Sequence, residues 1–287
     1  MAILNSVFDG DVASGVGPEA DGYGYRVGLY VRGSDDIELS DNEFKIWWSA
    51  LNVMESKRVV ISENEIHSVR SDGIRLAQVE NILIENNYIH DFLASLKSGD
   101  HRDMIQMWST NTTTPSKHVI IRGNTLDVGE GDWTQSIFMR NELVDQGISG
   151  ADMFYQDILI EENVILNAHS AGISVGETDG LIIRRNSVLS VDDPYLNLVP
   201  RIEVAGDSTN VTIEQNATVG ISGFADQPDW TVADNAIVQN RDPNAAGYYE
   251  IEFLTSSLDG KAEDFIVDPE SLIASLGAGA TRLQLDT

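Results

Sequence analysis

The chain contains no cysteine, which excludes disulfides and thiolate-bound metals and leaves the compartment open. It has no apolar run of roughly eighteen residues and no charged-then-apolar leader ending in a small-residue cleavage site. Neither a membrane span nor a signal peptide is therefore expected. Basic residues are scarce, 18 against 46 acidic ones, and the formal charge of −28 repels nucleic-acid phosphates and anionic membranes. Nucleic acid is not an expected partner. A surface this acidic suits a salty or calcium-rich medium, where screening cuts self-repulsion to about 8 Å or less, so the expected location is extracellular. Proline is also sparse, at 7 residues, while 42% of the chain is hydrophobic, enough to build a sizeable core.

A short pattern, apolar-x-apolar-x-x-Asn-x-apolar, recurs through most of the chain. It begins at Ile37–Phe44 and returns at Val59–Ile66, Ile82–Ile89, Val119–Leu126, Ile158–Ile165 and Leu181–Val188, then in weaker form at Val211–Thr218 and Trp230–Ile237. Its Asn positions are 42, 64, 87, 124, 163, 186, 216 and 235, which sets a base period of 22 to 23 residues. Between copies lies a second apolar alternation: Leu29/Val31, Leu51/Val53, Ile74/Leu76, Ile105/Met107, Ile137/Met139, Ile173/Val175 and Ile202/Val204. Each coil is thus expected to carry two strands. The predicted fold is all-β, a single right-handed parallel β-helix of about 9–10 coils, with neighbouring coils about 4.8 Å apart and Asn side chains bonded along a ladder. Residues 1–26 read as an N-terminal cap or first coil, 27–240 as the repeated coils, and 241–287, which lose the Asn motif, as a C-terminal cap.

Three insertions interrupt the period on consecutive coils: about 8 residues before Ile105, 6 after Met107 and 13 after Met139. Stacked strands cannot absorb them, so they are expected side by side as loops on one face, either as a binding face or as tolerated decoration. Between the core positions of each second strand, one outward column reads Tyr30, Asn52, Arg75, Gln106, Phe138, Ser174, Glu203. The next reads Arg32, Met54, Ala77, Trp108, Arg140, Gly176, Ala205. Arg75, Gln106, Trp108, Phe138 and Arg140 then form a basic and aromatic patch, with Tyr30 further along. Aromatic rings stack on sugars and Arg forks grip carboxylates, which suits an anionic glycan.

The first insertion ends in Lys97-Ser98-Gly99-Asp100-His101-Arg102-Asp103-Met104-Ile105-Gln106. A His between two Asp is oriented and made more basic, as a general base near neutral pH requires. Asp72 shares the register of Asp103 one coil earlier, so the two carboxylates are candidates either for acid/base work or for holding Ca²⁺ through oxygen. The bland alternative is that Asp100 and Asp103 cap the turn and His101 is simply exposed. His67 and His90 share a register but each follows a core Ile at a turn and reads as solvated. Trp47 and Trp48 read first as a cover for the open end of the core, second as a sugar platform.

On these coils and the Gly-Asp-His-Arg-Asp-Met-Ile-Gln string, the chain resembles the right-handed β-helix superfamily of pectate lyases and mannuronan C-5 epimerases, over roughly residues 27–240. The resemblance implies chemistry on a uronate-containing polysaccharide, with a base removing the C5 proton and a neutralised carboxylate stabilising the anion. Carried over residue by residue, His101 is the base, Arg75 or Arg140 the neutraliser and Asp103 the orienter, with no cofactor required beyond a candidate calcium ion. The epimerases' Tyr-Gly-Phe-Asp-Pro-His pattern is echoed only by Asp100-His101 and Asp103. Their glycine-rich calcium nonapeptides are missing, so a piece of a longer protein, monomeric or homo-oligomeric, is a further expectation. The alternatives from the residues are a glycoside hydrolase using Asp72 with Asp100 or Asp103, and a non-catalytic glycan-binding or adhesive β-helix.

Overall fold

The computed structural model describes residues 1–11, 22–95, 99–192, 198–258 and 261–285. It is an all-β solenoid of three parallel sheets. Sheet A has nine strands, from Ala2–Leu4 through Lys57–Ser62 and Lys117–Arg122 to Trp230–Ala233. Sheet B also has nine, mostly short, such as Glu43–Lys45 and Tyr88–His90. Sheet C has eight, including Ser49–Met54, Asp72–Ala77, Asp103–Met107 and Gln135–Met139. The first coil is already in place at residue 2, where Ala2–Leu4 pairs with Glu38–Ser40.

Each coil therefore carries three strands, not the two expected. The third escapes the periodicity because it is only two to four residues long and usually sends one side chain inward, such as Phe44, Ile66 or Ile89, so it offers no alternation to read. Sheets A and C supply the remaining core, in columns such as Val59/Ile61, Ile82/Ile84 and Ile74/Leu76, all at 2% exposure or less.

Sheet A meets sheet B at a tight turn whose first residue lies in the left-handed region: Asp41, Glu63, Asn86, Gly123, Glu162, Arg185, Gln215 and Asp234, at φ 49–64°. That conformation costs an L-residue on the order of 1 kcal/mol. The motif Asn that follows offsets it. Its Oδ1 accepts from the backbone N–H and the Nδ2 of the Asn one coil earlier, as in Asn64 to Asn87 at 3.0 and 2.9 Å, and the chain of contacts runs from Asn42 to Asn235.

The C-terminal segment folds back over the outer face of sheet B. On later coils that face is apolar (Val164, Leu166, Leu189, Ala217, Ala236), and Tyr249, Phe253, Phe265, Ile273 and Leu283 cover it. Arg282 fixes the far end, donating to the carbonyls of Gly123 and Asn124 at 2.7 and 2.9 Å. On earlier coils the same face is polar. There His67 and His90 stack with ring centroids 5.3 Å apart, and each reaches back to a Glu, Glu43 and Glu65 respectively. His90 is buried, not solvated, because the stack and Asp91 enclose it.

Candidate functional site on sheet C

The three insertions do not sit together on one edge. Residues 91–95 and 99–102 precede the N-terminal ends of the sheet C strands, whereas 108–116 and 140–154 leave the C-terminal ends, so the described parts of the loops flank the sheet at opposite ends of its strands. The two exit loops lock to one another: Ser109 N–H donates to Glu142 Oε2 at 2.8 Å and Leu143 N–H to Ser109 Oγ at 3.0 Å. The entry loop is tied to the next coil by Ala94 N–H to Asp132 Oδ2 at 2.8 Å and Asp132 N–H to Phe92 O at 2.7 Å. The physical reason is the solenoid itself: an insertion before a strand and one after it emerge about one strand length apart.

The floor follows the expected register. Asn52, Arg75, Gln106 and Phe138 are paired column neighbours, and so are Ser49, Asp72, Asp103 and Gln135. Strict alternation fails here. Met104 and Ile105 are adjacent yet both lie in the core, which turns Asp103 to the same outer face as Gln106. One coil earlier the position of Met104 is Gly73, where an added Cβ would lie 2.5 Å from the Met104 carbonyl, so that approach requires glycine.

His101 Nδ1 lies 2.7 Å from Asp103 Oδ2, and its Nε2 lies 3.0 Å from Gln135 Nε2. With Nδ1–H donating to the carboxylate, Nε2 carries the lone pair and accepts from Gln135. The contact with Asp103 raises the His101 pKa above its ordinary value, against the opposing effect of burial. The ring is half exposed and Asp103 fully buried, so an anchored base meets the groove. Phe138 packs against the ring at 5.3 Å.

Arg75 stands beside this dyad. Its Nε lies 3.2 Å from Asp72 Oδ2 and 3.1 Å from Gln106 Oε1, and its guanidinium is sandwiched between Trp108 at 4.6 Å and Trp48 at 5.4 Å. Among the described residues both of these polar partners sit at Nε, and neither Nη makes a hydrogen bond. Gln106 Nε2 donates to Asp103 Oδ2 at 2.6 Å and so joins Arg75 to the dyad.

Other expected residues take different places. Asp100 braces the floor, accepting from Arg70 Nε at 2.6 Å and Trp48 Nε1 at 3.1 Å. Arg140 is turned to its own loop, with Nε 2.7 Å from Asp145 Oδ2. Tyr30 lies two coils before Arg75 and donates to Met54 Sδ. Lys97 lies outside the described residues. Trp47 does pack at the N-terminal end, donating to Phe8 O, but Trp48 belongs to the Arg75 sandwich and is not an end cover. Column reading had not singled out Gln135, Trp133, Arg102 and His169. Trp133 stacks on His169 at 5.3 Å and carries Arg102 at 3.9 Å, a further aromatic surface along the groove. The register shared by Asp72, Asp103 and Gln135 was a readable signal for Gln135. The other three are loop residues without one.

Asp72 and Asp103 are 3% and 0% exposed, and each has an Oδ1 without a hydrogen-bond partner. Burial pushes Asp72 up to about 7, with Arg75 opposing and Asp103 adding to the rise, and burial also raises Asp103. Among the described residues no group of three or more His, Cys, Asp or Glu side chains is arranged to hold a metal ion. A raised folded-state pKa means that the folded chain holds a proton which the unfolded chain has released between roughly pH 4 and 7. Stability therefore falls through that window by up to roughly 1.4 kcal/mol per pH unit. Asp72→Asn removes the share of this slope that belongs to Asp72. Urea unfolding should show its stability relative to wild type improving from pH 4 to 8, and a pH-independent difference would contradict the assignment.

Residues 25–132 match the family model of the right handed beta helix region, the stretch that holds Arg75, His101, Asp103 and Gln106. With the three stacked parallel sheets, the match supports the right-handed β-helix superfamily, and the domain is consistent with carbohydrate-active or adhesive β-helix proteins. No curated protein matches the chain.

Proposed function

We propose that the sheet C groove binds a uronate-containing polysaccharide and removes the C5 proton of a bound uronate. The observation that carries this reading is the His101–Asp103 contact of 2.7 Å beside the Trp-sandwiched Arg75. The Nη edge of Arg75 grips and neutralises the uronate carboxylate, while Trp48 and Trp108 offer faces to the ring. Substrate displaces Gln135 from Nε2, which then takes the C5 proton. The electron pair passes into the carboxylate as an enolate stabilised by Arg75. Elimination breaks the C4–O4 bond, forms C4=C5 and returns the proton to O4. Protonation of C5 by water from the opposite face, with the proton on His101 passing to the hydroxide so formed, gives the epimer instead. A hydrolase built on Asp72, Asp100 and Asp103 is disfavoured because all three carboxylates are committed to Arg75, Arg70 or His101.

The test is a panel of polyuronates, with and without Ca²⁺, followed by ultraviolet absorbance for the unsaturated product and by NMR for the epimer ratio. Release of saturated reducing ends would instead indicate hydrolysis, and binding without turnover an adhesive module. Because the base must be neutral, kcat/KM should rise with pH through a limb set by His101, above the ordinary imidazole value of about 6.5. Asp103→Asn removes the interaction that raises it, so the limb should move to lower pH while the plateau drops. An unmoved limb would rule out His101 as the titrating base.

A further inference from the structure

Sheet A carries a feature the proposed site does not use. Val60, Leu83, Ile120, Leu159 and Ile182 occupy one outward column on five successive coils, in register from strand to strand. They line an open groove of about 820 Å³. At roughly 4.8 Å per coil the stripe is about 19 Å long. The chain covers the apolar outer face of sheet B with its own C-terminal segment, yet no described residue covers this one.

The charges around the stripe alternate by coil. Counting Lys, Arg, Asp and Glu, Lys57–Ser62 carries two positive side chains, Glu80–Glu85 two negative, Lys117–Arg122 two positive, and Tyr155–Glu161 two negative, while in Thr178–Arg184 Asp179 and Arg184 cancel. On a molecule of charge −28, these five strands sum to zero. They form a face on which copies can meet without repulsion. The alternation is also self-complementary.

We propose that this face is an isologous interface, on which two copies pack sheet to sheet about a two-fold axis parallel to the strands and lying between Glu80–Glu85 and Lys117–Arg122. That axis keeps strand direction and reverses coil order. Leu83 then meets Ile120 of the second copy, and Val60 meets its Leu159. Glu80 faces Lys117, Glu85 faces Arg122, and Arg58 faces Asp157, each an opposite pair, so the ion pairs these groups make within one chain (Glu80 with Lys57 and Lys117, Glu85 with Arg122, Arg58 with Asp35 and Asp36) extend across the contact. At the margin the acidic strand Asp35–Ser40 comes opposite Thr178–Arg184, so Asp35 meets Asp179 and Glu38 meets Ile182; Arg58 already holds Asp35 and Asp36. Sheets packed face to face sit about 10 Å apart, a spacing that aliphatic side chains from both sides fill. A two-fold contact of this kind closes on itself and does not propagate into a filament. Sheet C lies on another face of the solenoid and stays open.

Sedimentation velocity and light scattering on the full chain test this. The wild type should run at twice its 31.4 kDa. Ile120→Asp, an outward position outside the core, should halve the mass with an unchanged circular-dichroism spectrum. Glu85→Arg alone should also give the monomer, and Glu85→Arg combined with Arg122→Glu should restore the dimer. A wild-type monomer at all concentrations, a trimer, a dimer indifferent to Ile120→Asp, or a monomer stabilised by an aliphatic ligand would each overturn the proposal.

Discussion

Replacing His101 with alanine should lower turnover on the preferred polyuronate by about 10²–10⁴-fold, the usual contribution of a positioned general base. The loss should fall on kcat, because the ring is anchored from below by Asp103 and the substrate carboxylate is held elsewhere, by Arg75. Arg75→Ala should show the complementary pattern. Losing a charge-assisted contact worth roughly 1.5–3 kcal/mol raises KM by about 10- to 100-fold, and loss of enolate stabilisation lowers kcat as well. Neither change should unfold the chain: the His101 side chain is 50% exposed, and Arg75 lies on the outer face of its strand. Steady-state kinetics on both variants, with melting curves as controls, separates these outcomes. If His101→Ala retained a tenth or more of wild-type kcat, it would not be the base.

The dyad was legible because its two partners are two residues apart and Asp72 shares the register of Asp103, so short-range spacing and strand pairing together placed them. Arg75 and Gln106 were readable for the same reason, as neighbours in one outward column. What strand logic could not reach was anything held by a loop. Trp48 follows a sheet B strand and precedes a sheet C strand, and only the entry loop carrying Asp100 brings its indole Nε1 to a partner. Arg140 continues an outward column on paper, but the strand ends at Met139 and the following loop supplies Asp145, a nearer carboxylate than any substrate. The coil count and the Asn ladder were visible because they repeat. The short sheet B strands were hidden because most expose one inward side chain to a pattern that needs at least two.

The ladder yields the largest expected change in stability. Asn124→Ala should destabilise the chain by roughly 3–5 kcal/mol. Its side chain is 0% exposed and serves five contacts. Oδ1 accepts from Asn87 N–H at 3.0 Å and Asn87 Nδ2 at 2.9 Å, and Nδ2 donates to Ile84 O, Arg122 O and Asn163 Oδ1. Alanine leaves the buried Asn87 backbone N–H without its acceptor, at about 1–3 kcal/mol, and takes one of three acceptors from Asn87 Nδ2, which keeps Ile61 O and Glu85 O; the unfilled volume adds to the loss. Asn163 Oδ1 keeps the Asn124 backbone N–H, so the damage runs mainly toward the N-terminal coils. The same substitution at Asn235 should cost less: it ends the ladder, its Nδ2 donates to Ile213 O and Ala233 O but to no further Asn, and its contacts are partly open. At about 2–4 °C per kcal/mol for a chain of this size class, Asn124→Ala should lower Tm by on the order of 10 °C. A solenoid couples each coil only to its neighbours, and Asn124 lies on the sheet A-to-B turn between the two exit loops, where the chain departs furthest from its own period. Weakening that junction should therefore broaden or split the unfolding transition, the N-terminal coils melting first, while Asn235→Ala leaves it single. Equal shifts at both positions would mean that the ladder contributes side-chain burial and not a continuous hydrogen-bonded chain.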